Sequence, residues 1–414
     1  MKQRQVLALM AGVTMALAAC GSGNTGTGAN KGTIKIGIDL PISGNDASDG
    51  VPAENGALFA IKQANDAGGI DGYTLAASPL DDASATLGKH DPQQGANNVK
   101  QFIADTKVLA MVGPFNSNVA RAEMPLASTA DLPVISPSNT GECLTQTFSY
   151  CTNGEPQSLH PGGKTNYFRV CTTDNIQGPA LADFAIKSGY KTVYILDDSE
   201  TYGKGLADNF DKEFKAKGGT VAGHDEFDAN STHDFKSFLN KAKSKSVDLV
   251  MFGGTTSNSG GIIRLQMKDI LPGVPYFAGD GISDAQFLKD AGSNADGSVY
   301  SVAAVNADTL PSAKTFLADF KKAYTKDTDY GAYTANMYDA TKILIAAIDR
   351  AIKANNGNVP TREQVRVEIT KTDYNGVIGH TTFDANGDTS NKIISFYKVT
   401  GGKAVFSDQI TFSG

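Results

Sequence analysis

Residues 33–40 read TIKIGIDL, residues 53–64 read AENGALFAIKQA, and residues 68–69 are Gly-Gly. Ile34, Ile36, Ile38 and Leu40 make a short apolar strand. Asp49, Gly50 and Pro52 open a helix, because proline is tolerated in a first turn. Ala53, Ala57, Ala60, Ile61 and Ala64 then recur at helical spacing, and the glycine pair stops the helix. This is one strand–helix unit, and the chain repeats it.

Residues 73–80 give the next strand, and 92–106 a helix with Val99, Phe102 and Ile103 on one side. Residues 108–112 are a compact buried strand. The helix through Ala120, Met124 and Ala127 is expected to be disturbed by Pro125. Residues 133–136 form another short strand. Residues 138–166 are polar, rich in Gly, Thr and Pro, and read as a long surface excursion. The alternation then restarts, with strands at 193–196, 247–252 and 275–278 between helices, and clear helices at 316–324 and 333–352. From Thr381 the tail reads as short antiparallel strands around a turn at 384–388. Two runs of such units with a break between them predict an α/β protein with two open parallel-sheet lobes. Ligands of such sheets sit beyond the carboxyl ends of the strands, so the expected site is the cleft between the lobes.

The chain has 414 residues, 37 Lys and Arg against 44 Asp and Glu, and a net charge of -7. That length suits two domains. The pI of 5.3 argues against a nucleic-acid partner, which demands a basic surface. A mean hydropathy of -0.23 excludes a polytopic membrane protein.

Lys2 and Arg4 precede an apolar run from Val6 to Ala19 that ends Leu17-Ala18-Ala19-Cys20. A charged start, a short apolar run and small residues before a cysteine resemble the signal and lipobox of a bacterial lipoprotein. The expectation is a signal peptide over 1–19, lipidation of Cys20 and a flexible tether over 20–32, where GSGNTGTGANKG offers almost no apolar surface. The mature protein would then stand on the outer face of the cell membrane or in the periplasm. That compartment permits disulfides. Cys143 and Cys151 flank a short polar stretch and are the candidate pair, with Cys171 a buried thiol or the partner of either.

The ordered set IKIGIDLPISG, NDAGGIDG, LDDAS, DPQQGANNVKQFI, VGPFNS, MPLASTADLPVISPSNT, NYFRVCTTDNIQGPALADF and DDSETYGKGLADNF resembles the type I periplasmic binding proteins of ABC importers, in the leucine/isoleucine/valine-binding branch. The resemblance runs from Thr33 to about Phe406. It implies two Rossmann-like lobes joined by three crossing strands, the first from 33–172 plus about 305–380, the second from 173–304 plus about 381–414. It implies a small-molecule ligand, an amino acid, delivered to membrane permease subunits by a lipid-anchored monomer, with no cofactor, no metal and no catalysis.

Site residues follow from the same resemblance. Ser117 opens a helix after a strand, and a helix N-terminus suits a carboxylate. It stands for the serine that binds the ligand carboxylate, although plain helix capping is the competing explanation there and at Thr140. Ser138 stands where a backbone carbonyl meets the ammonium, and Thr140 where a hydroxyl meets both ends. On the second lobe Asp174 lies near the ligand, Tyr202 closes over it, and Asp280 supplies the counter-charge for the ammonium. An Asp at that position can also be a turn former. Three positions depart from the branch: Asp49 stands where relatives offer an aromatic, and Asn116 and Thr255 are polar where specialists for branched chains are apolar. Polar amino acids, small amides and urea-like solutes therefore stay open.

Other motifs carry less. Residues 384–388 have Gly too early for a calcium loop and read as a hairpin turn. The five histidines show no metal spacing and read as surface residues. The pairs Asp81-Asp82 and Asp197-Asp198 could serve a secreted hydrolase, but solvated strand ends or cleft-lip charges that touch a transporter are the simpler reading. A sensory domain of the same fold is the third reading.

Overall fold

The computed structural model describes residues 31–412 except residue 153. Cys20, the signal segment and most of the tether lie outside the described residues. The first strand begins at Gly32, one residue earlier than the apolar pattern suggests, and Lys31 is tied by its Nζ to Asp71 at 2.8 Å.

A first sheet has the order Tyr73–Asp81, Gly32–Leu40, Val108–Val112, Val134–Ser136, Tyr167–Arg169, all parallel. Val108–Val112 is buried along its whole length, as a strand covered by helices on both faces must be. Helix Ala47–Asp66 lies against helix Thr334–Ala354, and its small residues set the approach. A Cβ on Gly56 would stand 2.4 Å from the carbonyl oxygen of Thr334, so no larger residue fits that crossing. Phe59, Phe316, Phe320 and Tyr338 pack around the same contact.

A second sheet has the order Lys403–Thr411, Ile393–Thr400, Val299–Val302, Tyr276–Ala278, Leu249–Gly253, Thr192–Asp197, Thr220–Glu226. Its first two strands are antiparallel additions to a parallel core. The turn at 384–388 is closed by Gly387 N–H donating to Asp384 O at 3.0 Å. Three segments connect the sheets, at 170–173, 303–306 and 383–392. They are laced together: Thr172 N–H donates to Ala303 O at 3.2 Å, Ser395 Oγ to Ala304 O at 2.7 Å, and Arg169 N–H to Gly387 O at 3.0 Å. The fold is therefore the expected pair of Rossmann-like lobes with crossing strands between them.

Some expectations are corrected. Helix Ser117–Thr129 runs through Pro125, because Met124 and Ala127 on either side are fully packed and hold the turn that proline weakens. The stretch 138–166 is no surface excursion at its start: Ser138, Asn139, Thr140 and Glu142 are buried. Asp82, Asp197 and Asp198 are buried too, so the acidic pairs are not solvated strand ends. Among the described residues no helix is long and apolar enough to cross a membrane.

Candidate functional site

Strand ends from both sheets converge between the lobes. From the first sheet, Val108–Val112 runs into 113–117 and Val134–Ser136 into 137–141. The two loops are stitched to each other. Ser138 Oγ donates to Phe115 O at 2.8 Å, Asn139 Nδ2 to the same oxygen at 2.7 Å, and Ser136 Oγ to Pro114 O at 2.9 Å. This fixes the start of helix Ser117–Thr129. Asn116 precedes it with extended backbone and its side chain caps nothing. Val119 N–H donates to Asn118 Oδ1 at 2.9 Å, which leaves the Ser117 and Asn118 N–H groups without a side-chain acceptor, carrying the partial positive charge of a helix start. Ser117 is buried, and its Oγ accepts from Gly141 N–H at 3.2 Å.

The second lobe supplies the opposite wall. Helix Thr201–Ala216 places Tyr202 in its first turn, and Tyr276–Ala278 runs into the turn that carries Asp280. Tyr202 OH donates to Asp280 Oδ1 at 3.2 Å and accepts from Gly281 N–H at 3.0 Å. Gln177 Nε2 donates to the same Asp280 oxygen at 2.6 Å. Burial raises the Asp280 pKa, and these neutral donors only partly offset it. Thr255 Oγ1 lies 2.9 Å from Ser257 Oγ.

These walls face each other across a narrow cleft. Asn116, Ser117 and Ser138 line it from the first sheet, with Asp49 from the first helix; Tyr202, Thr255 and Asp280 line it from the second lobe. Thr140 and Asp174 do not reach the wall. Asp174 N–H donates to Thr140 O at 2.8 Å, and both residues are fully buried. Burial, with Glu142 and Asp280 nearby, pushes the Asp174 carboxyl well above the usual carboxylate range. A larger, more open cavity of about 390 Å³ lies toward Tyr300, Tyr330 and Tyr397 and is lined by none of these side chains.

Sequence reasoning misses the seam that closes the cleft. The two-residue strands Ala83–Ser84 and Lys89–His90 form a small hairpin on the first lobe. Lys89 Nζ reaches Glu200 Oε1 of the second lobe at 3.1 Å and also Asn258 Oδ1. His90 Nε2 lies 2.8 Å from Glu200 Oε2, while Nδ1 lies 2.9 Å from Asp46. Asn118 Nδ2 donates to Glu200 Oε2 at 3.0 Å, and Ser48 Oγ to Asp284 Oδ1 at 2.9 Å. The structure is thus the closed form. His90 is no surface residue. Burial alone would lower its pKa, and Glu200 and Asp46 overcome this and raise it well above the ordinary imidazole value. The signal for Glu200 was present: it follows a strand end directly and opens a helix. Among the described residues no group of three or more His, Cys, Asp and Glu is arranged to hold a metal ion.

Two paired sheets with a cleft at their carboxyl ends define a protein that closes over a small solute. The family model described as "Periplasmic binding protein" matches residues 33–403, and the chain belongs to that family. It is 30% identical to the Leu/Ile/Val-binding protein BraC3 of Rhizobium johnstonii, over 91% of this chain and 94% of that one. It is 29% identical to Leu/Ile/Val-binding protein homolog 3 of Brucella melitensis, over 90% and 93%. Among solved structures, a leucine binding protein from Thermotoga maritima superposes with a TM-score of 0.77 at 28% identity, covering 91% of this chain and 98% of that one. A branched-chain amino acid transporter substrate binding protein from Streptococcus pneumoniae, in complex with isoleucine, gives 0.76 at 26% identity, covering 92% and 99%.

Proposed function

We propose that the protein is the extracytoplasmic receptor of an ABC importer, that it binds an amino acid in the interlobe cavity, and that it performs no chemistry on it. One arrangement carries the reading: an uncapped helix start at Ser117 and a carboxylate at Asp280 bound the same cavity from opposite lobes. The α-carboxylate goes to the N–H groups and hydroxyl at Ser117, the α-ammonium to Asp280 with the Ser138 backbone beside it, and Tyr202 closes over the ligand. Asn116, Thr255 and Asp49 face the side chain. Thr140 and Asp174 act from behind the wall as positioning residues. Ligand contacts on both lobes favour the closed form by differential affinity. The two lobes divide as 33–172 with about 305–380, and 173–304 with about 381–414.

The same reading anchors the protein through a lipid on Cys20 and gives it to permease subunits as a monomer. Cys143 and Cys151 lie paired in a disulfide suited to that compartment, with Cys171 a buried free thiol. A thermal-shift screen of the protein against amino acids, amides and sugars tests the function. A true ligand at a hundred times its Kd adds about 2.7 kcal/mol of stability and is recovered unchanged. Silence for every amino acid with a clear shift for another solute overturns the substrate class, and recovery of a hydrolysed product overturns the absence of catalysis.

A further inference from the structure

Three carboxylates face the cavity: Asp49, Glu200 and Asp280. No Lys, Arg or His lines it. Each carboxylate must be accounted for, because a charge left unpaired in a water-poor site costs several kcal/mol. Glu200 is accounted for by the chain itself, through Lys89 and His90. Asp280 receives only neutral donors, Gln177, Tyr202 and Tyr333, and awaits the cation of an α-ammonium.

Asp49 remains. It is half-buried in the first turn of helix Ala47–Asp66 and makes no hydrogen bond or ion pair with a described side chain. Burial, then Asp284, Asp46 and Asp280, push its carboxyl well above the usual range, and the one cation near enough to oppose them, His90, is already held by Asp46 and Glu200. A leucine side chain placed here would strip water from this carboxyl and return nothing. An aliphatic wall would suit leucine; this wall holds Asp49, Asn116 and Thr255. A second positive charge on the ligand would answer Asp49 as the first answers Asp280.

We infer that the ligand is an amino acid with a cationic side chain, an amine or guanidinium, paired with Asp49. The inference rests on the receptor function above and adds the class of side chain. The α-carboxylate takes the Ser117 helix start, the α-ammonium takes Asp280, and the distal cation takes Asp49. The two positive charges of such a ligand then answer Asp280 and Asp49, and its one negative charge answers the helix start.

Titration calorimetry on the protein tests this with L-ornithine, L-lysine and L-arginine against L-leucine, L-norleucine, L-citrulline and L-glutamine. The basic amino acids are expected to bind at least tenfold tighter than their neutral counterparts. Asp49→Asn is expected to remove most of that preference, and Asp49→Leu to reverse it in favour of norleucine or leucine. Tighter binding of leucine or glutamine by the unaltered protein overturns the inference while the receptor reading stands, as does a preference for basic ligands that Asp49→Asn leaves unchanged. Absence of binding by every amino acid overturns both.

Discussion

The seam and the cavity between the same two lobes treat negative charge in opposite ways. At the seam, Glu200 and Asp46 are interleaved with His90 and Lys89, and both carboxylates meet a cation that the chain provides. In the cavity, Asp280 and Asp49 meet none. The seam is complete only when the lobes close, since Glu200 comes from one lobe and Lys89 and His90 from the other. The cavity is complete only when a ligand arrives with its own positive charge. Closure therefore draws on charges that the chain pairs internally and binding on charges that it leaves to the ligand, with Glu200 standing at the border of the two.

The largest effect is expected at Asp280. Truncating one partner of a buried charge pair costs roughly 2–5 kcal/mol, so Asp280→Ala should weaken ligand binding by about 30-fold to several thousand-fold. Calorimetry reads this, and a loss under threefold would show that the ammonium sits elsewhere.

The seam should matter less to affinity. Glu200→Gln removes the counter-charge of Lys89 and His90 and should cost about tenfold in Kd, with a shift toward the open form visible in small-angle scattering. Its pH signature separates it from the cavity. His90 has a raised pKa in the closed form, so its contribution is full below about pH 6.5 and is lost as pH rises through the raised value. Glu200 is lowered to about 2 against its burial by His90 and Lys89, so its contribution is full above about pH 4.5 and is lost as pH falls through about 2. The melting-temperature gap between the unaltered protein and Glu200→Gln should thus be widest near pH 5–6. A gap independent of pH would remove the seam from the account.

The smallest effect concerns a third group with neither chain cation nor cavity. Asp39, Asp82 and Glu123 are buried together in the first lobe, and both Glu123 oxygens lack a hydrogen-bond partner. Burial, then Asp39 and Asp82, raise the Glu123 pKa well above its ordinary value. The unfolded chain gives up this proton first, so stability is lost as pH rises above about 4.3. Glu123→Gln should therefore stabilise the protein by roughly 1–2 kcal/mol at pH 8 and by almost nothing at pH 4. Equal effects at both values would show packing rather than charge.

The strand–helix alternation and the strand-end loops were legible in the sequence, because each rests on local apolar spacing and on glycine stops. The loops that hold Asn116, Ser117, Ser138, Thr255 and Asp280 sit at strand ends, and the fold brings strand ends together. The seam was illegible. A two-residue hairpin has no periodic signature, and His90 acquires its two carboxylates only from residues 44 and 110 positions away. Likewise Asp82 and Asp198 look like solvated strand ends until the neighbouring elements cover them. Thr140 and Asp174 follow the resemblance in sequence but fall behind the wall, because a backbone hydrogen bond pins one to the other.

A crystal structure of the protein grown with L-lysine tests the central claim most directly. The account predicts a carboxylate within about 3 Å of the N–H groups at Ser117, the α-ammonium at the same range from Asp280, and the ε-ammonium against Asp49. Ligand in the open cavity beside Tyr300 and Tyr397, or a ligand in the cleft with its ammonium away from Asp280, would contradict it.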